Sequence, residues 1–148
     1  FLTPKGKKLN QKKIKKFVKK DNLILVCGKY EGIDQRVIDT WKMEEISLGD
    51  YILSGGEIAA MSLIDSCVRL LPNVLGSSKS LESETFENNL LEYPQYTKPR
   101  KWLGKKVPEV LLSGDHKKIN EWKKNESIKI TKIKRPDLFR KAIKKWKI

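Results

Sequence analysis

Apolar positions along this chain change their spacing several times, and each change predicts a different element. Leu9, Ile14, Phe17 and Val18 recur among lysines between residues 9 and 20, a spacing that predicts a short amphipathic helix. Asp21-Asn22 ends it. Leu23-Ile24-Leu25-Val26-Cys27 follows as an unbroken apolar run, the pattern of a strand covered on both faces in a parallel sheet. Such a sheet needs crossover helices, so the expected class is α/β. Residues 34–41 suit a short helix. Residues 45–57 read as two short extended pieces interrupted by glycine, and residues 58–71 as a mostly apolar helix closed by Pro72. At the start of the chain, Phe1-Leu2-Thr3-Pro4-Lys5-Gly6 reads as a strand end running into a turn.

The pattern then lapses. Residues 73–84 are polar and serine-rich without periodicity, as in a linker. Beyond them, 86–91, 117–125 and 136–147 are expected to be helices, separated by turns at Pro94, Pro99 and Pro108. The organisation predicted is an α/β domain over 1–72, a linker over 73–85 and a small helical domain over 86–148.

Composition bounds this picture. With 148 residues, 39% of them hydrophobic, the chain can bury one core, or one moderate core plus a helical appendage. No apolar run approaches a membrane span, and the basic opening stretch lacks the apolar core of a secretory signal. A cytoplasmic protein is expected. The chain begins with Phe1 inside what looks like a folded element, and is read as an N-terminally shortened fragment. Cys27 and Cys67 sit singly in apolar runs far from the one histidine, His116, which argues against a disulfide framework or a metal cluster.

Charge adds a partner. Residues 1–20 carry nine lysines and no acids, residues 21–92 carry 5 basic and 13 acidic residues, and residues 93–148 carry 18 basic and 5 acidic. Two basic ends therefore flank an acidic middle within a net charge of +14. A polyanion such as RNA is the natural partner for clustered cations. Only five of the 32 basic residues are arginine, so AT-rich codon bias explains lysine over arginine. It does not explain the segregation.

Candidate chemistry lies in two glycine-punctuated loops, Gly28-Lys29-Tyr30-Glu31-Gly32-Ile33-Asp34 and Gly49-Asp50-Tyr51-Ile52-Leu53-Ser54-Gly55-Gly56-Glu57. Each follows an expected strand, where open α/β sheets place ligands. Neither is a Walker loop or a dinucleotide fingerprint, and either alone is also what an ordinary tight turn looks like. Taken in order with Phe1-Leu2-Thr3-Pro4-Lys5-Gly6, Tyr93-Pro94-Gln95-Tyr96-Thr97-Lys98-Pro99 and Pro108-Glu109-Val110-Leu111-Leu112-Ser113-Gly114-Asp115-His116, they resemble the bacterial tRNA (guanine-N1)-methyltransferases of the SPOUT superfamily, over nearly the whole chain.

The resemblance implies a trefoil-knotted parallel sheet with helices, followed by a small helical C-terminal domain. It implies S-adenosyl-L-methionine held in three loops, tRNA as substrate, and a homodimer whose subunits share each active site. It leaves a Mg2+ requirement open. By motif match Leu2, Thr3 and Pro4 form the first cofactor loop, and Gly28 with Glu31 the second. Leu48, Gly49, Asp50, Tyr51, Ile52 and Leu53, with Gly55 and Gly56, form the third. On this reading Gly55→Val is expected to abolish cofactor binding.

In that family the methyl group passes to N1 of the guanosine just 3′ of the anticodon. N1 carries a proton, so a base must remove it while a cation receives the charge moving to O6. Arg69 matches the family's arginine. At the family's aspartate position this chain has Glu84, one methylene longer. The plainer readings stay open here: Arg69 lies four residues after Asp65, a helical ion-pair spacing, and Glu84 suits a solvated charge. Trp102, Trp122 and Trp146 are expected to serve packing rather than base stacking. A non-catalytic basic RNA-binding protein is the competing reading; it explains the charged ends but not the two loops.

Overall fold

The computed structural model of the chain describes residues 1–74, 85, 86 and 88–146. Contacts divide it into two compact units, Phe1–Ser78 and Lys79–Ile148.

The first unit is mixed α/β. Strand β1 (Leu2–Lys8) pairs in parallel with β2 (Ile46–Ser47), the register slipping between Leu2 and Lys7 so that both residues face Ile46. Main-chain bonds tie the two at each end: the Ile46 N–H donates to the Phe1 carbonyl at 2.9 Å, and the Leu9 N–H to the Ser47 carbonyl at 2.8 Å. Between these contacts the chain leaves Ile46 and returns to it within five residues, a bulge where the sequence suggested a turn before Gly6.

Three helices cover this pair. Helix α1 (Gln11–Phe17) starts on Asn10, whose side chain accepts the Lys13 N–H, and buries Ile14. Helix α2 (Gln35–Thr40) starts on Asp34 and buries Ile38. Helix α3 (Glu57–Val68) buries Ala59, Ala60 and Leu63 and packs against α1. The core is therefore one small cluster, Leu2, Ile14, Ile38, Ile46, Ala59, Ala60 and Leu63.

Residues 23–27 are not the doubly covered strand expected. Only Cys27 forms a bridge, to Leu2, and Ile24 is 87% exposed. An apolar run signals that burial would be favourable without supplying a lateral partner, and among the described residues this run forms one strand bridge, at its end.

The second unit is helical with a small hairpin. Helix α4 (His116–Lys134) begins on Asp115, whose carboxylate accepts the Lys117 and Lys118 N–H groups at 3.1 Å each. It runs 19 residues, well past the expected end at 125. Helix α5 (Pro136–Trp146) follows at once, with proline at its first position where no N–H is needed. The two helices pack together, and the buried residues are Thr131, Leu138 and Ala142.

The expected helix over 86–91 does not form among the described residues of that stretch. Phe86 and Asn89 have φ of 78° and 56°, incompatible with right-handed helix. Side chains receive the backbone donors instead: the Leu91 N–H donates to Thr131 Oγ1 at 2.8 Å and the Glu92 N–H to Thr85 Oγ1 at 3.2 Å. Strands β3 (Lys101–Trp102) and β4 (Lys105–Lys106) form an antiparallel hairpin that the lysine-rich sequence did not suggest. No helix among the described residues is long and apolar enough to cross a membrane.

Candidate functional site

Three separate chain segments converge in the first unit. The Gly56 N–H donates to the Gly28 carbonyl at 3.1 Å, and Lys29 and Gly55 form an antiparallel bridge. Residue 28 in turn lies against the ring of Phe1, and Leu2 bridges Cys27. These ties hold the start of β1, the loop after residue 27 and the loop after β2 around one cavity of about 380 Å3, within the range usual for small-molecule sites.

Of the thirteen residues matched to cofactor loops, twelve line this cavity: Leu2, Thr3, Pro4, Gly28, Glu31, Leu48, Gly49, Tyr51, Ile52, Leu53, Gly55 and Gly56. Asp50 does not. It pairs instead with Lys8 at the edge of the loop, where both side chains are exposed.

The walls also contain residues that motif matching passed over. Gln35 and Ile38 reach in from one face of α2 at i and i+3, and Ala59 from the first turn of α3. The helical spacing in 34–41 could have flagged the first two. Tyr30, fully exposed at φ 53°, stands on the rim.

Charge around the cavity is mixed, with Glu31 and Glu45 set against Lys5 and Lys29. Lys29 is drawn to Glu57 at 3.5 Å. Beside the second loop, Asp34 accepts the Arg36 guanidinium at 2.6 to 3.2 Å and its backbone N–H at 2.8 Å, which holds the Asp34 carboxyl below the usual range.

The glycines differ in what they permit. A Cβ on Gly56 would stand 2.9 Å from Cys27 Cα and 3.1 Å from Cys27 Cβ, so the loops meet this closely only because that atom is missing. A Cβ on Gly55 would meet chiefly the Glu57 carboxylate, the free end of a flexible side chain. The stricter position is Gly56, not the Gly55 singled out from sequence.

Of the two residues expected to be catalytic, one lies within the described residues. Arg69 caps the C-terminal end of α3, its N–H donating to the Asp65 carbonyl at 3.1 Å, and is not among the residues lining the cavity. Ala59 is the last residue of α3 to line the cavity, and Arg69 follows ten residues later, about 15 Å along the helix axis. Glu84 lies outside the described residues. Among the described residues no group of three or more Asp, Glu, His or Cys side chains could hold a metal ion. Cys27 and Cys67 are free and half-buried.

Of the tryptophans, Trp122 packs as expected, edge-on to Tyr93 at 6.5 Å and tilted against Tyr96 at 6.2 Å. Trp102 does not: it is 63% exposed on the hairpin, which is too short a ribbon to cover it. The side chain of Trp146 lies outside the described residues.

The family described as tRNA (Guanine-1)-methyltransferase TrmD matches residues 1–141. The chain belongs to that family. It is 57% identical over 145 residues to a tRNA (guanine-N(1)-)-methyltransferase of Clostridioides difficile (strain 630), covering 98% of this chain and 63% of that protein. To proteins of the same name it is 55% identical over 141 residues in Pelagibacter ubique (strain HTCC1062), covering 95% of this chain and 62% of that one, and 52% identical over 143 residues in Rhodospirillum rubrum, covering 97% and 60%. The chain thus spans about three fifths of the length of the curated relatives it matches.

Proposed function

We propose that the protein containing this chain transfers a methyl group from S-adenosyl-L-methionine to N1 of the guanosine just 3′ of the anticodon in tRNA, in the cytoplasm and as a homodimer. The observation that carries this reading is the convergence of the three motif-matched loops on one cavity, in a chain of the tRNA (guanine-1)-methyltransferase family. The same convergence supports the trefoil knot, since the third loop returns to bond the second. The domain division at 1–72, 73–85 and 86–148 belongs to the same proposal.

The residues present fit the cofactor. Leu2, Thr3, Pro4, Gly28, Glu31 and the loop from Leu48 to Gly56 would hold it, with exposed main chain from the glycines and apolar contact from Leu48, Ile52 and Leu53. When bound, S-adenosyl-L-methionine supplies an electrophilic methyl group on a sulfonium. Glu84 takes the guanine N1 proton, and the Arg69 guanidinium steadies the charge that develops on O6.

The position of Arg69 supports the homodimer. An arginine about 15 Å along α3 from the last residue of that helix to line its own chain's cavity serves best at the cavity of a second subunit. Ile58, Met61, Ile64 and Val68 of the same helix, with Leu71 just beyond its end, are exposed apolar residues, the kind of face a subunit interface covers. Chelation in the assay below tests a Mg2+ requirement.

The test is methyl transfer by the full-length protein to an unmodified tRNA, read as 1-methylguanosine by nuclease digestion and mass spectrometry. Glu84→Gln is expected to abolish transfer with cofactor binding intact, and Glu84→Asp to preserve or raise the rate. Mixed dimers of an Arg69→Ala subunit with a Gly56→Val subunit should regain activity at one shared site. Normal turnover by Glu84→Gln would remove the base assignment, and absence of 1-methylguanosine in every condition would remove the function.

A further inference from the structure

The β3–β4 hairpin has features that folding of the second unit does not use. Its two-residue turn, Leu103-Gly104, has φ of 46° and 79°, the left-handed pair that matches the twist of a tight hairpin. Leucine is an unfavourable residue for the first of these positions, and its side chain is 79% exposed. The ribbon is therefore held in shape without a buried face.

The pairing sorts the side chains. Trp102 lies opposite Lys105, and the Val107 N–H donates to the Arg100 carbonyl at 2.9 Å, so Arg100, Trp102, Lys105 and Val107 share one face. That face lines an open basin of about 410 Å3, completed by Tyr96, Lys98 and Lys106. Trp102 and Tyr96 are 63% and 45% exposed.

The cations here are also uncompensated. Among the described residues no carboxylate pairs with Lys98, Arg100, Lys105 or Lys106, whereas Asp115, Glu126 and Asp137 of the same unit are already taken by Lys118, Lys129 and Arg135. An exposed indole flanked by unpaired cations, within a concave surface, is the chemistry that holds an unstacked nucleotide: the base lies on the aromatic face and its phosphates meet the cations.

We infer that this basin binds one splayed-out nucleotide of single-stranded RNA, the base stacked on Trp102 and the flanking phosphates held by Arg100 and Lys105. The inference rests on the RNA substrate proposed above, and places a contact for that substrate outside the cofactor cavity. Base stacking tolerates any base, so the basin positions a loop nucleotide without reading its identity.

The test uses the full-length protein, with affinity for an anticodon stem-loop and for a short oligouridylate measured by fluorescence anisotropy across a salt series. Trp102→Ala is expected to weaken both about 5- to 150-fold, the range for loss of one base–aromatic stack, while leaving the salt slope unchanged. Trp102→Phe should retain most of the affinity. Trp102→Leu, which keeps apolar bulk without an aromatic face, should behave like alanine and guards against a simple folding defect. Arg100→Ala and Lys105→Ala should each lower the salt slope by about 0.7, one single-strand phosphate contact apiece.

Native affinity in Trp102→Ala and Trp102→Leu would overturn the basin while leaving the RNA reading standing. No RNA binding by the unsubstituted protein would overturn both. Equal loss of polyglutamate binding in the tryptophan variants would show a general polyanion surface, also overturning the nucleotide site.

Discussion

Gly56→Ala should loosen the wall between the second and third loops, while Gly55→Ala should barely register. Gly56 has φ −78° and ψ −7°, which alanine adopts freely; on backbone grounds alone the substitution would stabilise by about 0.4–1 kcal/mol. Against that, the new Cβ would stand 2.9 Å from Cys27 Cα and 3.3 Å from the Gly28 nitrogen. Those are main-chain atoms, fixed by the Leu2–Cys27 bridge and the Gly56–Gly28 bond, so they cannot swing aside. Overpacking of this kind costs about 1–3 kcal/mol, leaving about 1–2 kcal/mol net, or a melting temperature lower by about 2–4 °C per kcal/mol. At Gly55 the obstacle is the Glu57 carboxylate, whose ion pair with Lys29 is more than half exposed on both sides and contributes little. Differential scanning calorimetry of the full-length protein, with and without S-adenosylhomocysteine, reads both effects. The loops would be spread where the ligand sits, so its affinity should fall about tenfold in Gly56→Ala, equivalent to about 1.4 kcal/mol. If Gly55→Ala is the more damaging substitution, or Gly56→Ala melts and binds like the native protein, the close approach is not what shapes the cavity.

Two further outcomes follow from the second unit. Thr131 is fully buried and its Oγ1 both accepts the Leu91 N–H and donates to the Ser127 carbonyl at 2.6 Å. Thr131→Val keeps the shape but strands the Leu91 donor, so denaturant unfolding should show a loss of about 1–3 kcal/mol, with Thr131→Ser closer to native; an unchanged midpoint in Thr131→Val would sink the assignment. Asp137 is held at about 2 by the Arg135 guanidinium, through bonds of 2.8 and 2.7 Å. Its depressed value means that the stability the pair contributes is complete above the unfolded aspartate value of about 3.9 and is lost as pH falls through about 2. An NMR titration should place the Asp137 midpoint near 2 and move it upward in Arg135→Ala; a midpoint near 4 in the native protein would contradict the pairing.

Much of the first unit was legible because its signals are local. Asp34 before an apolar-periodic stretch and Pro72 after one marked α2 and α3 correctly. The glycine loops were legible only as an ordered set, since each alone is also an ordinary turn, and their convergence depends on bonds between residues far apart in sequence, such as Gly56 to Gly28. What failed was anything set by a partner rather than a pattern. The run from Leu23 to Cys27 is apolar enough for a central strand, yet a strand needs neighbours along its length, and among the described residues its one ladder bridge is that of Cys27 to Leu2. Residues 86–91 have a helix-like composition, but Thr131, forty residues on, captures the Leu91 donor. The helix expected over 117–125 continues to Lys134, and packing against α5 carries α4 through that point. The hairpin was invisible because lysines make a poor strand signature and Leu103 occupies a turn position that asparagine or glycine usually marks. Asp50 shows the limit of motif matching itself: it sits inside a matched loop yet faces away.

Five of the residues around the cavity, Gly28, Gly32, Gly49, Gly55 and Gly56, have no side chain, so much of its surface is peptide backbone. A surface of that kind is inherited with the path of the chain rather than with any particular side chain. An exchange of Leu48 or Ile52 for another apolar residue would leave those backbone groups where they are. An inhibitor shaped to those amide and carbonyl groups would meet the converse: no single side-chain replacement removes its contacts, and the substitutions that would, at Gly56 above all, disturb the native ligand as well.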